Sequence, residues 1–397
     1  MAMTLLDSVA IDHPGAIARN FNLYVGDVAD MTGHNVDVLA VSCLPGDYTP
    51  SPGSVLGALA ARGVSVQAMS GNKAANYEPD LPCWISNPVS NPQPGIAFSR
   101  VLVYEPASPA TNSVNLVSAI FTALSAFRGS AQTSVAMPLV STGSAGADPS
   151  LIMRALFFAA VSWGSRAAFP LSTINLVLYQ GNPQLNAQLQ ALFADLKNRY
   201  QHVDTIPPSN YVSQAKSIAD RGGFPPYLTY RQVWGIALYT TNYAASTINP
   251  MLRSSNIKNA DYQALMPVFE CIDSGLANIP SWAGQANRGQ GFYAGAYQEY
   301  QVGNILLHLA YMSYSSGQGF PGAMRIHTTS GTAKPVSAYS AFPSEQEVLF
   351  GRSMRDRVTQ ANWNASHNGG EFYTQQLVPR WGALFDEQQP ALIASEA

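Results

Sequence analysis

Residues 21–200 alternate between short apolar runs of strand length and longer runs with helical spacing, and the alternation stops at a stretch rich in proline and glycine. Phe21–Val28, Val36–Cys43, Phe98–Tyr104, Ser134–Val140 and Ile174–Tyr179 read as buried strands. Ser54–Arg62, Ser113–Arg128, Ser150–Gly164 and Leu185–Tyr200 read as helices. Such an order predicts an α/β sandwich around a largely parallel sheet, because parallel strands need helical crossovers that cover both faces. The paired prolines and glycines of DTIPPSN and DRGGFPP mark 203–226 as a linker. Beyond it Arg231–Arg253 is amphipathic at helical spacing, and the chain turns β-rich after about 284, an α+β order. The expected domains are therefore 1–202 and 227–397, which suits a chain of 397 residues.

Composition narrows the function. Hydrophobic residues make up 47% of the chain and charged ones only 11%, which excludes a charge-driven disordered protein and a coiled coil. A net charge of −3 leaves no basic footprint for nucleic acid. No apolar run reaches the roughly 18 residues of a membrane span. The opening MAMTLLDSVAIDHPG has no basic segment before its apolar stretch, so no signal peptide is expected. Cys43, Cys83 and Cys271 are too scattered for a disulfide framework, and a cytoplasmic location follows as the default. The six histidines show no metal-ligand spacing, so no metal is expected, and His308 in its apolar run reads as a core residue. Only five of the 21 basic residues are lysine. That reads as genome composition; the alternative is a toxin that benefits from few ubiquitin acceptors.

Three clusters in the second half carry chemistry: Asn287-Arg288-Gly289, Tyr311-Met312-Ser313-Tyr314-Ser315 and Glu345-Gln346-Glu347. In an extended segment Glu345 and Glu347 would share a face, about 7 Å apart, as a candidate reacting pair. Taken alone, Glu-x-Glu reads as a solvated strand edge.

In this order the clusters resemble the arginine-type mono-ADP-ribosyltransferases, whose pattern is Arg, then Ser-x-Ser, then Glu-x-Glu on separate strands. Ala237-Leu238-Tyr239-Thr240, Tyr243 and Ile248-Asn249-Pro250-Met251-Leu252-Arg253 resemble that family's helical lead-in, and His327-Thr328-Thr329-Ser330-Gly331 through Ser340 to Glu345 its stretch before the reacting loop. The resemblance covers about 227–380 and implies an α+β fold with a split β core. It implies NAD as substrate, held by Arg288, Gly289, Ser313, Ser315 and Glu347. Arg288 would meet phosphate oxygens with its planar fork. Glu347 would stabilise the positive ribose that forms as nicotinamide leaves, and Ser313 would orient Glu347. Glu345 would hold an acceptor guanidinium, so the expected partner is a target protein with an acceptor arginine. The chain departs from the family at Asn287, where an aromatic is usual, and at Tyr314, where Thr is common. Water as acceptor, making an NAD glycohydrolase, is one alternative; a non-catalytic NAD or ADP-ribose binding protein is another.

The first half has strand–small-residue loop–helix passages of the kind that cradle phosphate with backbone N–H groups. They are Gly26-Asp27-Val28, Ser51-Pro52-Gly53-Ser54-Val55 and Ser141-Thr142-Gly143-Ser144-Ala145-Gly146. In order they resemble a macro domain over about 20–200, a three-layer sandwich that binds ADP-ribose. The resemblance places adenine at Asp27, a first phosphate loop at Gly53, Ser54 and Val55, and a second at Ser141, Thr142, Gly143, Ser144, Ala145 and Gly146. Hydrolytic macro domains carry Asn-Ala-Ala-Asn after the second strand; this chain has Val41-Ser42-Cys43-Leu44, so binding or sensing rather than removal of ADP-ribose is implied. A scaffold without a ligand is the alternative.

Overall fold

The computed structural model describes residues 3–90, 94–106, 117–127, 133–143, 146–254 and 259–378. The chain divides into two units, Met1–His202 and Val203–Ala397.

The first unit is built on a sheet of eight strands: β1 (Thr4–Ile11), β2 (Arg19–Gly26), β3 (Val36–Ser42), β4 (Lys73–Asn76), β5 (Cys83–Ser86), β6 (Phe98–Tyr104), β7 (Ser134–Pro138) and β8 (Thr173–Tyr179). Their order is β1-β2-β8-β7-β3-β6-β5-β4. The middle, from β2 to β6, is parallel. Strands such as β3, Val-Asp-Val-Leu-Ala-Val-Ser, are buried almost throughout, as central parallel strands require. The edges are antiparallel, with β1 on one side and β5 and β4 on the other. Helix starts follow local chemistry. Asp148 accepts N–H bonds from Ser150 and Leu151 and is followed by Pro149, opening the helix Pro149–Gly164. Asn182 and Pro183 do the same for Pro183–Gln201. The expected helix Ser113–Arg128 is described only as Ser118–Ala126; residues 113–116 and 128 lie outside the described residues.

The structure corrects the linker. Residues 203–226 contain the helix Ser209–Ala219, whose Ala215, Ile218 and Ala219 are buried in the core of the second unit. Pro207 and Pro208 stand before its first turn, where no N–H is needed, and Gly222 and Gly223 follow its end. The paired prolines and glycines flank one helix of the second unit, which begins at Val203, just before them. Arg231–Arg253 is likewise broken, into Tyr230–Tyr239, a π-helical turn Ala244–Ile248 and Asn249–Ser254. The hydroxyls of Thr240 and Thr241 turn back onto the carbonyls of Ala237 and Leu238 and end the first piece.

After the helix Ala260–Asn278 come seven strands: β9 (Trp282–Gln290), β10 (Ile305–His308), β11 (Met312–Ser315), β12 (Met324–Pro335), β13 (Glu347–Phe350), β14 (Met354–Trp363) and β15 (Gly370–Leu377). Their order is β10-β14-β15-β12-β13-β11-β9, and β9 also pairs with β12. The first half of β12 lies between β9 and β15, while its last residues, Lys334 and Pro335, pair with β13. One long strand thus serves both parts of a split sheet.

Strand alternation then sorts the side chains. Met312, Tyr314, Val348 and Phe350 enter one core, whereas Tyr311 and Leu349 enter the core shared with the helices. By the period of two, Ser313, Ser315 and Glu347 lie on the helical face. Beyond the far end of the β11–β13 ladder, Tyr311 Oη donates to Asp273 Oδ1 at 2.6 Å, and Arg352 forms a buried ion pair with the same carboxylate.

Candidate active site

β9, β11 and β13 are neighbours, and Ser315 pairs with Asn287 on one side and Glu347 on the other. Three clusters distant in sequence therefore meet. Ser313 Oγ donates to Glu347 Oε1 at 2.6 Å, and Arg288 Nη1 donates to the backbone carbonyl of Ser313 at 2.7 Å. The Arg288 guanidinium lies 5.9 Å from the Tyr314 ring centre, and its Nε is buried without a hydrogen-bond partner among the described residues. Gly289 has no room for a Cβ, because the carbonyl of Phe320 occupies that space where the segment after β11 crosses β9.

Glu347 is only 6% exposed. Burial raises its pKa above the ordinary carboxylate value, and the nearby Glu345 charge adds to the rise; hydrogen bonds from Ser313 and Ser340 oppose it. Ser340, which lies in the stretch resembling the family's approach to the reacting loop, belongs to the site, although the resemblance assigns it no individual role. Tyr239, from the resembling helical lead-in, stands near the same carboxylate. It is close enough to feel the charges of Glu347 and Arg288; its hydroxyl donates to the Tyr311 carbonyl and accepts from Asn249 Nδ2 at 3.0 Å.

Glu345 differs from the extended geometry expected of it. It ends a 3-10 turn, Pro343–Glu345, and Gln346 follows with φ +51°, so the chain reverses before β13 begins. The two carboxylates do not sit as i and i+2 of one strand face. Glu345 is held instead through its backbone, whose carbonyl accepts from Ser315 Oγ at 2.8 Å. Burial raises its pKa as well.

In the first unit the candidate loops follow β2, β3 and β7, and so leave the same edge of the parallel sheet. The Asp27 carboxylate accepts from the Ala29 N–H at 2.9 Å and lies 3.9 Å from Arg62, which also pairs with Asp30 at 3.3 Å. Gly53 has φ +78°. Ser54 Oγ is spent within its own turn, accepting from the Gly57 N–H and donating to the Ser51 carbonyl, and Val55 opens the short helix Val55–Ala61. In the second loop Ser141 has φ +62° and a buried hydroxyl with no partner among the described residues. Thr142 Oγ1 bonds the Leu139 carbonyl, and the Gly146 N–H bonds the carbonyl of Gly143. Ser144 and Ala145 lie outside the described residues. Because Asp148 already caps the following helix with a negative charge, that helix end is not available to a phosphate.

Among the described residues no group of three His, Cys, Asp or Glu could hold a metal ion, and no helix is long and apolar enough to cross a membrane.

No family model matches the chain. The chain is similar to the NAD(+)–protein-arginine ADP-ribosyltransferase Tre1 of Serratia proteamaculans (strain 568), with 28% identity over 131 residues, 33% of this chain and 29% of that protein. The match spans less than a third of that relative. Among solved structures, the type III effector XopAI of Xanthomonas axonopodis pv. citri shares 20% identity over 43% of this chain and 78% of its own, with a TM-score of 0.37. The ADP-ribosyltransferase HopU1 of Pseudomonas syringae pv. tomato DC3000 shares 16% over 44% and 85%, with a TM-score of 0.32. The ADP-ribosyltransferase Vis, solved with agmatine, shares 18% over 43% and 86%, with a TM-score of 0.33.

Proposed function

We propose that the second unit transfers ADP-ribose from NAD to an arginine of a protein target. The observation that carries this reading is the Ser313–Glu347 hydrogen bond, with Arg288 bonded to the carbonyl of the same serine. In this reading the bond between nicotinamide and ribose breaks, and its electron pair leaves with nicotinamide. The ribose carbon becomes positive, and Glu347 stabilises it in a buried setting where a carboxylate acts strongly. Ser313 keeps the Glu347 carboxylate aimed and ionised. Arg288, its Nε without a partner among the described residues, suits a pyrophosphate oxygen. A guanidinium nitrogen of the acceptor then attacks the ribose carbon, and Glu345 takes the proton it sheds.

The test uses labelled NAD and agmatine, a small guanidinium acceptor. The parent chain should label agmatine, Glu347→Gln should lose at least about 10²-fold of both labelling and nicotinamide release, and Glu345→Gln should lose labelling while still releasing nicotinamide. Nicotinamide release without label in the parent would make the chain a glycohydrolase.

For the first unit we propose a macro-like module that binds ADP-ribose at the edge carrying Asp27, Gly53 and the loop from Ser141. The Ser141 hydroxyl, buried and without a partner among the described residues, on a left-handed backbone, supports this reading. Calorimetry with ADP-ribose on the parent and Ser141→Ala tests it: binding weakened in the variant supports the site, and no heat with either chain leaves a scaffold.

A further inference from the structure

The segment that joins β11 to β12, residues 316–323, is fastened on two sides. Toward the Glu345 turn, Ser315 Oγ donates to the Glu345 carbonyl at 2.8 Å, and the Ser316 N–H and Oγ both donate to the Gln346 carbonyl, at 3.0 and 3.1 Å. Toward β9, Asn287 Nδ2 donates to the Gly317 carbonyl, while the Gly317 N–H returns to Ser315 Oγ at 3.0 Å. Gly319, with φ +71°, lies so close to the Asn287 carbonyl that a side chain there would collide.

Asn287 is held in turn. A carbonyl can only accept, so Asn287 must offer Gly317 its NH2 group, which leaves Oδ1 facing His327 Nδ1 at 2.7 Å. His327 therefore carries a proton on Nδ1. Its ring lies flat against Tyr373, centres 4.8 Å apart and planes 24° apart, which fixes its direction. A continuous path thus runs from His327 on β12, through Asn287 on β9 and Gly317, to Ser315 on β11 and the turn that presents Glu345.

We infer that Asn287, braced by His327, is a positioning residue that sets the place of the Glu345 turn through Gly317 and Ser315. The inference rests on the transferase reading, in which Glu345 holds the acceptor and Glu347 the ribose. Loosening the path then costs transfer to the acceptor more than it costs nicotinamide release. The same contacts show what Asn contributes here that a phenyl ring could not: a donor to the Gly317 carbonyl and an acceptor for His327.

Three variants of the full chain test it. Asn287→Asp replaces the donor to Gly317 with an acceptor and keeps the size. His327→Phe removes the Nδ1 donor and keeps the ring on Tyr373. His327→Asn restores an N–H donor at the Nδ1 position. With labelled NAD, the first two should lower agmatine labelling about three- to tenfold, the worth of one hydrogen bond, with nicotinamide release in the absence of agmatine within about twofold of the parent. His327→Asn should recover most of the labelling. Hydrogen exchange gives a readout independent of activity: in Asn287→Asp the amides of 315–317 and of 345–347 should both exchange faster, with those of β15 unchanged. Equal loss of labelling and release, no recovery in His327→Asn, or acceleration confined to 315–317 would overturn the inference. A parent chain that neither labels nor releases nicotinamide removes the transferase reading, and the exchange result alone then decides whether the path exists.

Discussion

Ser313 and Glu347 share a 2.6 Å hydrogen bond across neighbouring strands, and that bond, with one from Ser340, holds down the pKa of a carboxylate otherwise raised by burial and by Glu345. The serine thus keeps ionised the group that the proposed chemistry needs ionised. Ser313→Ala removes a donor to the charged form, so the Glu347 pKa rises further. The acid limb of the pH profile of kcat/KM should move to higher pH in the variant, and a profile whose limb stays put would separate Ser313 from the ionisation of Glu347.

Glu347 also weighs on stability, with a definite sign. Its folded pKa lies above its unfolded one, so the folded chain binds the proton more tightly. Its favourable contribution is present below the unfolded carboxylate value and is lost as pH rises through the raised folded value. At neutral pH Glu347→Gln should therefore raise Tm while it abolishes activity, by roughly 2–4 °C for each kcal/mol in a unit of this size. The gain should shrink as the pH is lowered toward the unfolded carboxylate value, which a series of melts across pH would show.

Asp273 and Arg352 form a buried pair, with side chains 3% and 2% exposed. Asp273→Ala takes from the buried Arg352 guanidinium the carboxylate it pairs with and should cost about 3–5 kcal/mol. Replacing both, as Asp273→Leu with Arg352→Met, should return most of that loss, since a well-packed apolar pair avoids the desolvation of two charges. Denaturant unfolding of the two singles and the double gives the coupling directly; additive losses would show that the pair is not the source.

Ser141 bears a left-handed backbone that a side chain resists. Ser141→Gly removes together the Cβ penalty and a buried hydroxyl without a partner among the described residues, and should stabilise the first unit by about 1 kcal/mol. Unchanged or lower stability in thermal melts would mean that the hydroxyl is satisfied by solvent.

What the sequence discloses follows the physics of periodicity. The apolar runs of the parallel strands stand out because both of their faces are covered. β1 and β4 escape such a reading because edge strands are half exposed and carry weak patterns, and β5 because four residues are too few to show one. The helix Ser209–Ala219 stays hidden because proline and glycine at its ends look the same whether they flank a helix or separate domains. Glu-x-Glu suggests a strand at Glu345 because it says nothing of Gln346, whose left-handed backbone turns the chain. The roles of Ser340 and Tyr239 and the Asn287–His327 contact depend on how the chain folds back on itself, and no local spacing encodes them.

β12 has a consequence for the order in which this unit can assemble. Its first half pairs with β9, made earlier, and with β15, made later, and β15 itself sits between β12 and β14. Arg288, Ser313 and Glu347 are all synthesised before the strand that closes the open side of β12. A nascent chain that has not yet reached residue 377 carries every candidate reacting group but presents an unpaired strand edge beside them. These long-range pairings make folding slow relative to a helical protein of the same length, so the assembled site comes late in the life of the chain.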